Sequence, residues 1–269
     1  MGDFSGKAVL VTGAARGQGR SHAVRFAAAG ADVAMLDICG PVDEHVPYPP
    51  ATPDDLAETT ELVTKQGGRA VARQADVRSF DQVKAVVDEA LAAFGHIDVV
   101  VANAGVYTCD WGWEIPESAW NATIDTNLKG VWNTIRATVP AMISAGNGGA
   151  IIITSAENAI RGHPLISHYA AAKMGQVGLM KTLATELAPY SIRVNTVNPL
   201  AVNTPMATGA AAATIIETLM RLRPGSDEPG WVEPDDVSDM VLYLASPEAE
   251  GITGIQVPVE PKTAADSPA

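Results

Sequence analysis

The fold class this sequence predicts is α/β: a single-domain, Rossmann-type doubly wound fold with a mostly seven-stranded parallel sheet. Three observations predict it. Short apolar, β-rich runs alternate with helical patterns along nearly the whole chain. A glycine-rich turn, TGAARGQG, joins the first strand to the first helix. The strands lack strict polar alternation, as expected where helices cover both faces of a sheet.

In order, KAVLVT at 7–12 is the first strand, and after the turn comes the helical pattern RSHAVRFAAAG. ADVAMLD at 31–37 is the second strand, completing a strand, turn, helix, strand unit of about 30 residues. Residues 38–54, ICGPVDEHVPYPPATPD, are proline-rich and aperiodic, and read as a surface loop or insertion. Alternation then resumes with helix DDLAETTELVTKQG, strand RAVARQAD, helix FDQVKAVVDEALAAFG and strand IDVVVANAG. A single helix is predicted over 116–145, then strand AIIITSA, a helix over 167–187, and strand IRVNTVNP. Helix DDVSDMVLYLAS and strand GITGIQVPVE close the succession. One continuous series makes 1–260 one domain, in which the degraded pattern at 203–234 suits a substrate lid with short helices; the tail at 261–269 is expected to be disordered.

At 269 residues and 47% hydrophobic content the chain can bury one large core. Acidic residues number 31 against 18 lysines and arginines, a formal charge of -13 that argues against an extended phosphate-backbone contact, so no nucleic-acid partner is expected. No apolar run reaches membrane-spanning length and the first residues enter a strand at once, so a soluble, cytoplasmic protein with no membrane partner is expected. Cys39 and Cys109 have neither ligand spacing nor a surrounding cluster; ordinary thiols and no metal are expected.

The turn supplies Gly13, Gly17 and Gly19, where backbone can approach a pyrophosphate and helix-start N–H groups favour its charge. Asp37 ends the second strand eighteen residues after Gly19, where a carboxylate accepts both ribose hydroxyls and repels a 2′-phosphate. NAD is therefore the expected cofactor. Arg16 is the opposing cue, a cation in the same loop; Gln18 and Ile38 complete the two segments.

Tyr169 and Lys173 stand four residues apart on one helical face. A phenol can take the proton of a secondary alcohol as hydride leaves and return it in reduction, and a nearby ammonium would lower its pKa from about 10. With TGAARGQG, Asp76 and Val77 after the third strand, ANAG at 102–105, Asn127 and NPLAVNTPM at 198–206, the chain resembles the short-chain dehydrogenase/reductase family. The stretches GRSHAVRFAAAGADVAMLDIC, PYPPATPDDLAETTELV and ARQADVR resemble, more narrowly, the actinobacterial carveol dehydrogenase-like, mycofactocin-coupled subgroup.

The resemblance implies that Asp76 and Val77 flank the adenine, that Asn103, Ala104 and Gly105 pass beneath the cofactor, and that Leu200, Val202 and Thr204 contact the nicotinamide end. It implies a supporting relay from Asn127 to Lys173, a homotetramer, and electron release to the peptide-derived cofactor mycofactocin. Two departures stand out. Leu200 replaces the family's glycine after the proline, and Ala156 occupies the position thirteen before Tyr169 where the family has its substrate-orienting serine. Ser155 is one residue off and, in a regular strand, faces the other way unless the strand's exit turns it. Glu157, Asn158, His163 and Ser167 are other polar candidates, and Tyr107, Trp111 and Trp113 are candidates for an apolar substrate wall. The leading expectation is an NAD-dependent dehydrogenase of a small, largely apolar secondary alcohol or its ketone. The alternative, which Ala156 supports, is a catalytically weakened NAD-binding or scaffold protein.

Overall fold

The computed structural model describes residues 2–223 and 230–261, apart from the side chains of Asn158 and Ala159. Its strands are β1 (Ala8–Thr12), β2 (Asp32–Asp37), β3 (Ala70–Gln74), β4 (Val99–Ala102), β5 (Gly149–Thr154), β6 (Ile192–Pro199), β7 (Ala201–Val202), β8 (Trp231–Val232) and β9 (Gln256–Val259). A seven-stranded sheet runs in the order β3-β2-β1-β4-β5-β6-β9, with every pairing parallel. After β3 the chain crosses back to the other side of β1. That reversal opens a crevice at the carboxyl ends of β1 and β4, where ligands bind in such sheets.

Strand β1 shows why the apolar runs are continuous. Leu10 packs into one core with Val100, Ile151, Val194, Val87 and Met180, while Val9 and Val11 pack into the other with Val33, Met35, Ile152, Phe26 and Leu242. Alternate side chains enter opposite layers, so neither set can be polar. The first layer carries α3 (Phe80–Phe94), α5 (Gly130–Ala145) and α7 (Ser167–Leu187); the second carries α1 (Gly17–Ala28), α2 (Pro53–Lys65) and α9 (Pro234–Ala245).

Three segments differ from the sequence reading. The helix expected over 116–145 is divided into α4 (Glu117–Ile124), a π turn at Asp125–Lys129, and α5. Gly130 lies so close to the third-strand exit that a Cβ there would stand 2.6 Å from Val77 Cγ2. At the π turn Asn127 faces inward, and such bulges recur where a helix must aim one polar residue. The 203–223 segment forms a full helix, α8 (Ala210–Leu222), and β7 pairs with β8 in a small separate sheet. Residues 224–229 of the expected lid and 262–269 of the expected disordered tail lie outside the described residues. Finally, the 38–54 insertion is solvent-facing on one side only; its other side lines the crevice, and it ends in α2, capped reciprocally by Thr52 and Asp55. Among the described residues no helix is long and apolar enough to cross a membrane.

Candidate active site

The crevice has a volume of about 390 Å³. Its floor is backbone: Gly13 and Gly17 adopt φ of +67° and +56°, and a Cβ on Gly19 would stand 2.0 Å from Gly13 O. Arg16 and Gln18 line the same crevice, as do Asp37 and Ile38 at the end of β2. The Asp37 carboxylate is held in place, its Oδ2 accepting from Ala15 N at 3.1 Å and its Oδ1 from Cys39 N at 3.0 Å. Asn103, Ala104 and Gly105 follow β4 along the crevice, with the Asn103 and Ala104 N–H groups both donating to Thr12 Oγ1 at 3.0 Å. Asp76 and Val77 border an adjoining hollow of about 70 Å³ shared with Asp37 and Ile38, and Asp76 is ion-paired to Arg78 at 2.7 Å. The sequence-predicted cofactor residues around the glycine turn, Asp37 and the ANAG segment are thus brought together.

Arg16, the opposing cue for a phosphate, donates instead to the Pro49 carbonyl of the insertion. Val42, Tyr48 and Pro50 of that insertion line the crevice. The Tyr48 ring lies 5.6 Å from Tyr107, whose ring lies 6.3 Å from Tyr169, so the insertion reaches toward the tyrosine.

Tyr169 and Lys173 share one face of α7. Lys173 Nζ donates to Thr154 O at 2.6 Å and lies 5.4 Å from the Tyr169 ring centroid. Burial lowers Lys173 to about 7 and pushes the Tyr169 phenol above its ordinary value. In this arrangement desolvation outweighs any lowering of Tyr169 by Lys173, whose Nζ is turned to the Thr154 carbonyl.

Asn127 binds both polar groups of Val106, accepting from its N–H at 2.8 Å and donating to its carbonyl at 2.7 Å. Its own carbonyl accepts from Gln176 Nε2 at 2.5 Å, a buried partner that sequence reading did not single out. Gly105 sits beside both Asn127 and Lys173, for a Cβ there would meet Asn127 Oδ1 at 3.0 Å and Lys173 Nζ at 3.7 Å.

Ser155 lies just beyond β5, where the chain has left the regular strand. Its hydroxyl donates to Lys173 O at 3.0 Å, tying the strand exit to α7. Ala156 is buried and borders a second cavity of about 150 Å³ on the other side of Tyr169. Ile215 and Ile216 of α8, Trp231 of β8 and Met206 make much of its wall; all four fall in the 203–234 segment read as a substrate lid, though none was singled out as a wall residue. Leu200 and Val202 border this cavity, and Thr204 borders both spaces. Of the three aromatic candidates only Tyr107 lines the cavity. Trp111 and Trp113 stack on each other at 5.3 Å, outside the cavity, with Trp113 78% exposed. His163 and the buried Glu157 also line the wall, whereas Ser167 does not; the Asn158 side chain lies outside what is described.

Neither cysteine is in a disulfide, and burial raises both thiols, Cys39 to about 12.

Comparison with known proteins gives the family. Residues 13–260 match the family described as enoyl-(acyl carrier protein) reductase. A short-chain type dehydrogenase/reductase of Mycolicibacterium smegmatis is 45% identical, over 96% of this chain and 97% of its own. The chain belongs to the short-chain dehydrogenase/reductase family. Among solved structures, carveol dehydrogenase from Mycobacterium avium in complex with NAD is 42% identical with a TM-score of 0.87, covering 96% of this chain and 98% of that one. A short-chain dehydrogenase from Mycobacterium paratuberculosis bound to NAD is also 42% identical, with a TM-score of 0.91 over 96% and 98% of the two chains. The member described here is thus an oxidoreductase similar to the actinobacterial, carveol dehydrogenase-like branch of the family.

Proposed function

We propose that this protein interconverts a small, largely apolar secondary alcohol and its ketone, with Tyr169 exchanging the hydroxyl proton and Lys173 beside it. By family it is an NAD-dependent oxidoreductase acting on CH–OH groups. The observation that carries the substrate reading is that Tyr169 borders both spaces, the crevice floored by the glycine turn and the apolar cavity under α8. The residues fit NAD: Asp37 stands where a ribose needs acceptors, and the close approach of Gly19 to Gly13 leaves bare backbone for a pyrophosphate. Asp76 and Val77 would flank the adenine, Asn103, Ala104 and Gly105 would pass beneath the cofactor, and Leu200, Val202 and Thr204 would close its nicotinamide end.

When bound, NAD supplies the hydride acceptor. The chain's own residues do the rest. The apolar wall excludes water and leaves the substrate's oxygen as its one polar group, to be met by Tyr169. The phenolate form of Tyr169 takes the hydroxyl proton in oxidation, and the phenol returns it in reduction. Lys173 supports the phenolate when its ammonium leaves Thr154 O, and Asn127 braces the Val106 segment under both.

The finer reading is a cytoplasmic homotetramer whose NAD stays bound and is reoxidised in place by mycofactocin. Support for retained cofactor comes from the insertion, whose Tyr48 and Pro50 wall the crevice; support for self-association comes from the exposed Trp120 and Trp132.

The test is single-turnover absorbance of reduced nicotinamide in purified protein given NAD and a panel of cyclic secondary alcohols. A stoichiometric rise is expected, slowed about 10²- to 10⁴-fold by Tyr169→Phe. No rise in folded, NAD-loaded protein overturns the reading and favours the weakened, NAD-binding alternative that Ala156 supports. A rise that stops at one turnover until an artificial acceptor is added is the result expected of retained cofactor.

A further inference from the structure

Glu157 and His163 form a polar pair in the wall of the apolar cavity that the reaction scheme leaves unused. Glu157 follows the β5 exit, and its side chain is only 2% exposed. Arg161 Nε and His163 Nε2 each approach one of its carboxylate oxygens to 3.1 Å, but neither is aligned as a hydrogen bond. A carboxylate buried this deeply needs cationic or donor partners. Arg161 is half-exposed and shares its guanidinium with Glu260, whereas His163 is mostly buried and borders the same cavity as Tyr169.

This pair coincides with a gap. The cavity wall at position 156 is an alanine methyl, and the adjacent Ser155 hydroxyl is engaged by the Lys173 carbonyl. Tyr169, Ala156 and His163 all line this one cavity of about 150 Å³, so a single ligand there can reach all three.

We propose that His163, held by Glu157, orients the substrate oxygen opposite Tyr169, taking the place of the serine that this chain lacks. The proposal rests on the dehydrogenase reading above. Nε2 faces Glu157, so Nδ1 is the ring nitrogen left for the carbinol or ketone oxygen, and it can donate when both nitrogens carry a proton. In oxidation the C–H electron pair leaves as hydride to NAD, the O–H proton passes to the Tyr169 phenolate, and His163 orients the oxygen without exchanging a proton. His163 would then touch the reacting oxygen, with Glu157 acting as a positioning residue through it.

The experiment measures single-turnover hydride transfer at saturating alcohol, with NAD affinity and melting temperature recorded for each variant. His163→Ala is expected to slow transfer about a hundredfold, the loss typical of one transition-state donor, with NAD affinity unchanged and the melting temperature lowered because the buried Glu157 loses a partner. Adding Ala156→Ser to that variant is expected to restore at least a tenfold gain. Glu157→Gln is expected to slow the wild type but not the His163→Ala variant, a non-additivity that general loosening of the wall would not produce.

Wild-type rates in His163→Ala overturn the proposal. So does a loss that Ala156→Ser leaves unrepaired, or a loss found in Tyr107→Phe and not in His163→Ala, which would hand the task to the buried, unpartnered Tyr107 hydroxyl. A wild type that transfers no hydride overturns the dehydrogenase reading and this proposal together, while transfer indifferent to His163 overturns this proposal alone.

Discussion

Tyr169 borders two spaces, one floored by glycine backbone and one walled almost wholly by side chains. The crevice is floored by Gly13, Gly17 and Gly19 and walled by the segment after β4, with close approaches that leave no room for a Cβ at Gly19. The second cavity is walled by Leu200, Val202, Ile215, Ile216 and Trp231, which come from the β6–β7 junction, β7, α8 and β8. A backbone wall tolerates almost nothing and can serve one constant ligand; a side-chain wall changes by methylenes and can be refitted to another substrate. The difference should be visible as abrupt losses on the first side and graded ones on the second.

The largest effect is expected where the walls meet. Lys173 has a folded pKa of about 7 against an ordinary 10.5. Between those values the unfolded chain binds the extra proton, so stability rises as pH goes from 7 to 10.5, and the cost of burial is fully present below 7. Lys173→Met should therefore stabilise the cofactor-free protein below pH 7 by up to about 4 kcal/mol, the gain vanishing above pH 10.5, while hydride transfer is lost. Denaturant melts across that range check the sign; destabilisation at pH 6 would show that the Thr154 contact outweighs desolvation.

Next is Gly19→Ala, which should cost about 1–3 kcal/mol of stability by overpacking and weaken NAD binding at least tenfold. Calorimetric titration with NAD would break the comparison if affinity were preserved. Asp37→Ala should weaken NAD by about tenfold and narrow its advantage over NADP, since it removes the proposed ribose acceptor and strands the Ala15 and Cys39 N–H groups. On the other side Ile215→Ala should raise KM only several-fold, about 1 kcal/mol, with NAD affinity unchanged. Smallest of all, Trp113→Ala should shift neither melting nor turnover by more than about 0.5 kcal/mol; a clear loss of turnover would return the indole pair to the substrate wall.

Much of the first side was legible along the chain because its determinants are local. A glycine triplet between strand and helix, an aspartate ending the next strand, and a tyrosine and lysine four residues apart each declare themselves within one supersecondary unit. The second side was not. Helix α8 looked like a degraded segment because its apolar residues face a cavity of mixed composition, and β7 and β8 are two residues each, too short to carry a period. Trp111 and Trp113 had the right position after β4, yet they stack on each other outside the cavity.

By itself the sequence determined the seven-stranded sheet, most of the helices that cover it, and which residue types stand at the glycine turn, Asp37, Tyr169 and Lys173, because hydrophobic period and residue type act over a few residues. Only the tertiary structure decided that Ser155 donates to the α7 backbone, that the π turn aims Asn127 at Val106, that the insertion walls the crevice, and that Glu157 and His163 stand beside the alanine at 156. Those outcomes depend on which burial and hydrogen-bond partners converge from distant parts of the chain, and a residue's orientation has no meaning until the partners are in place.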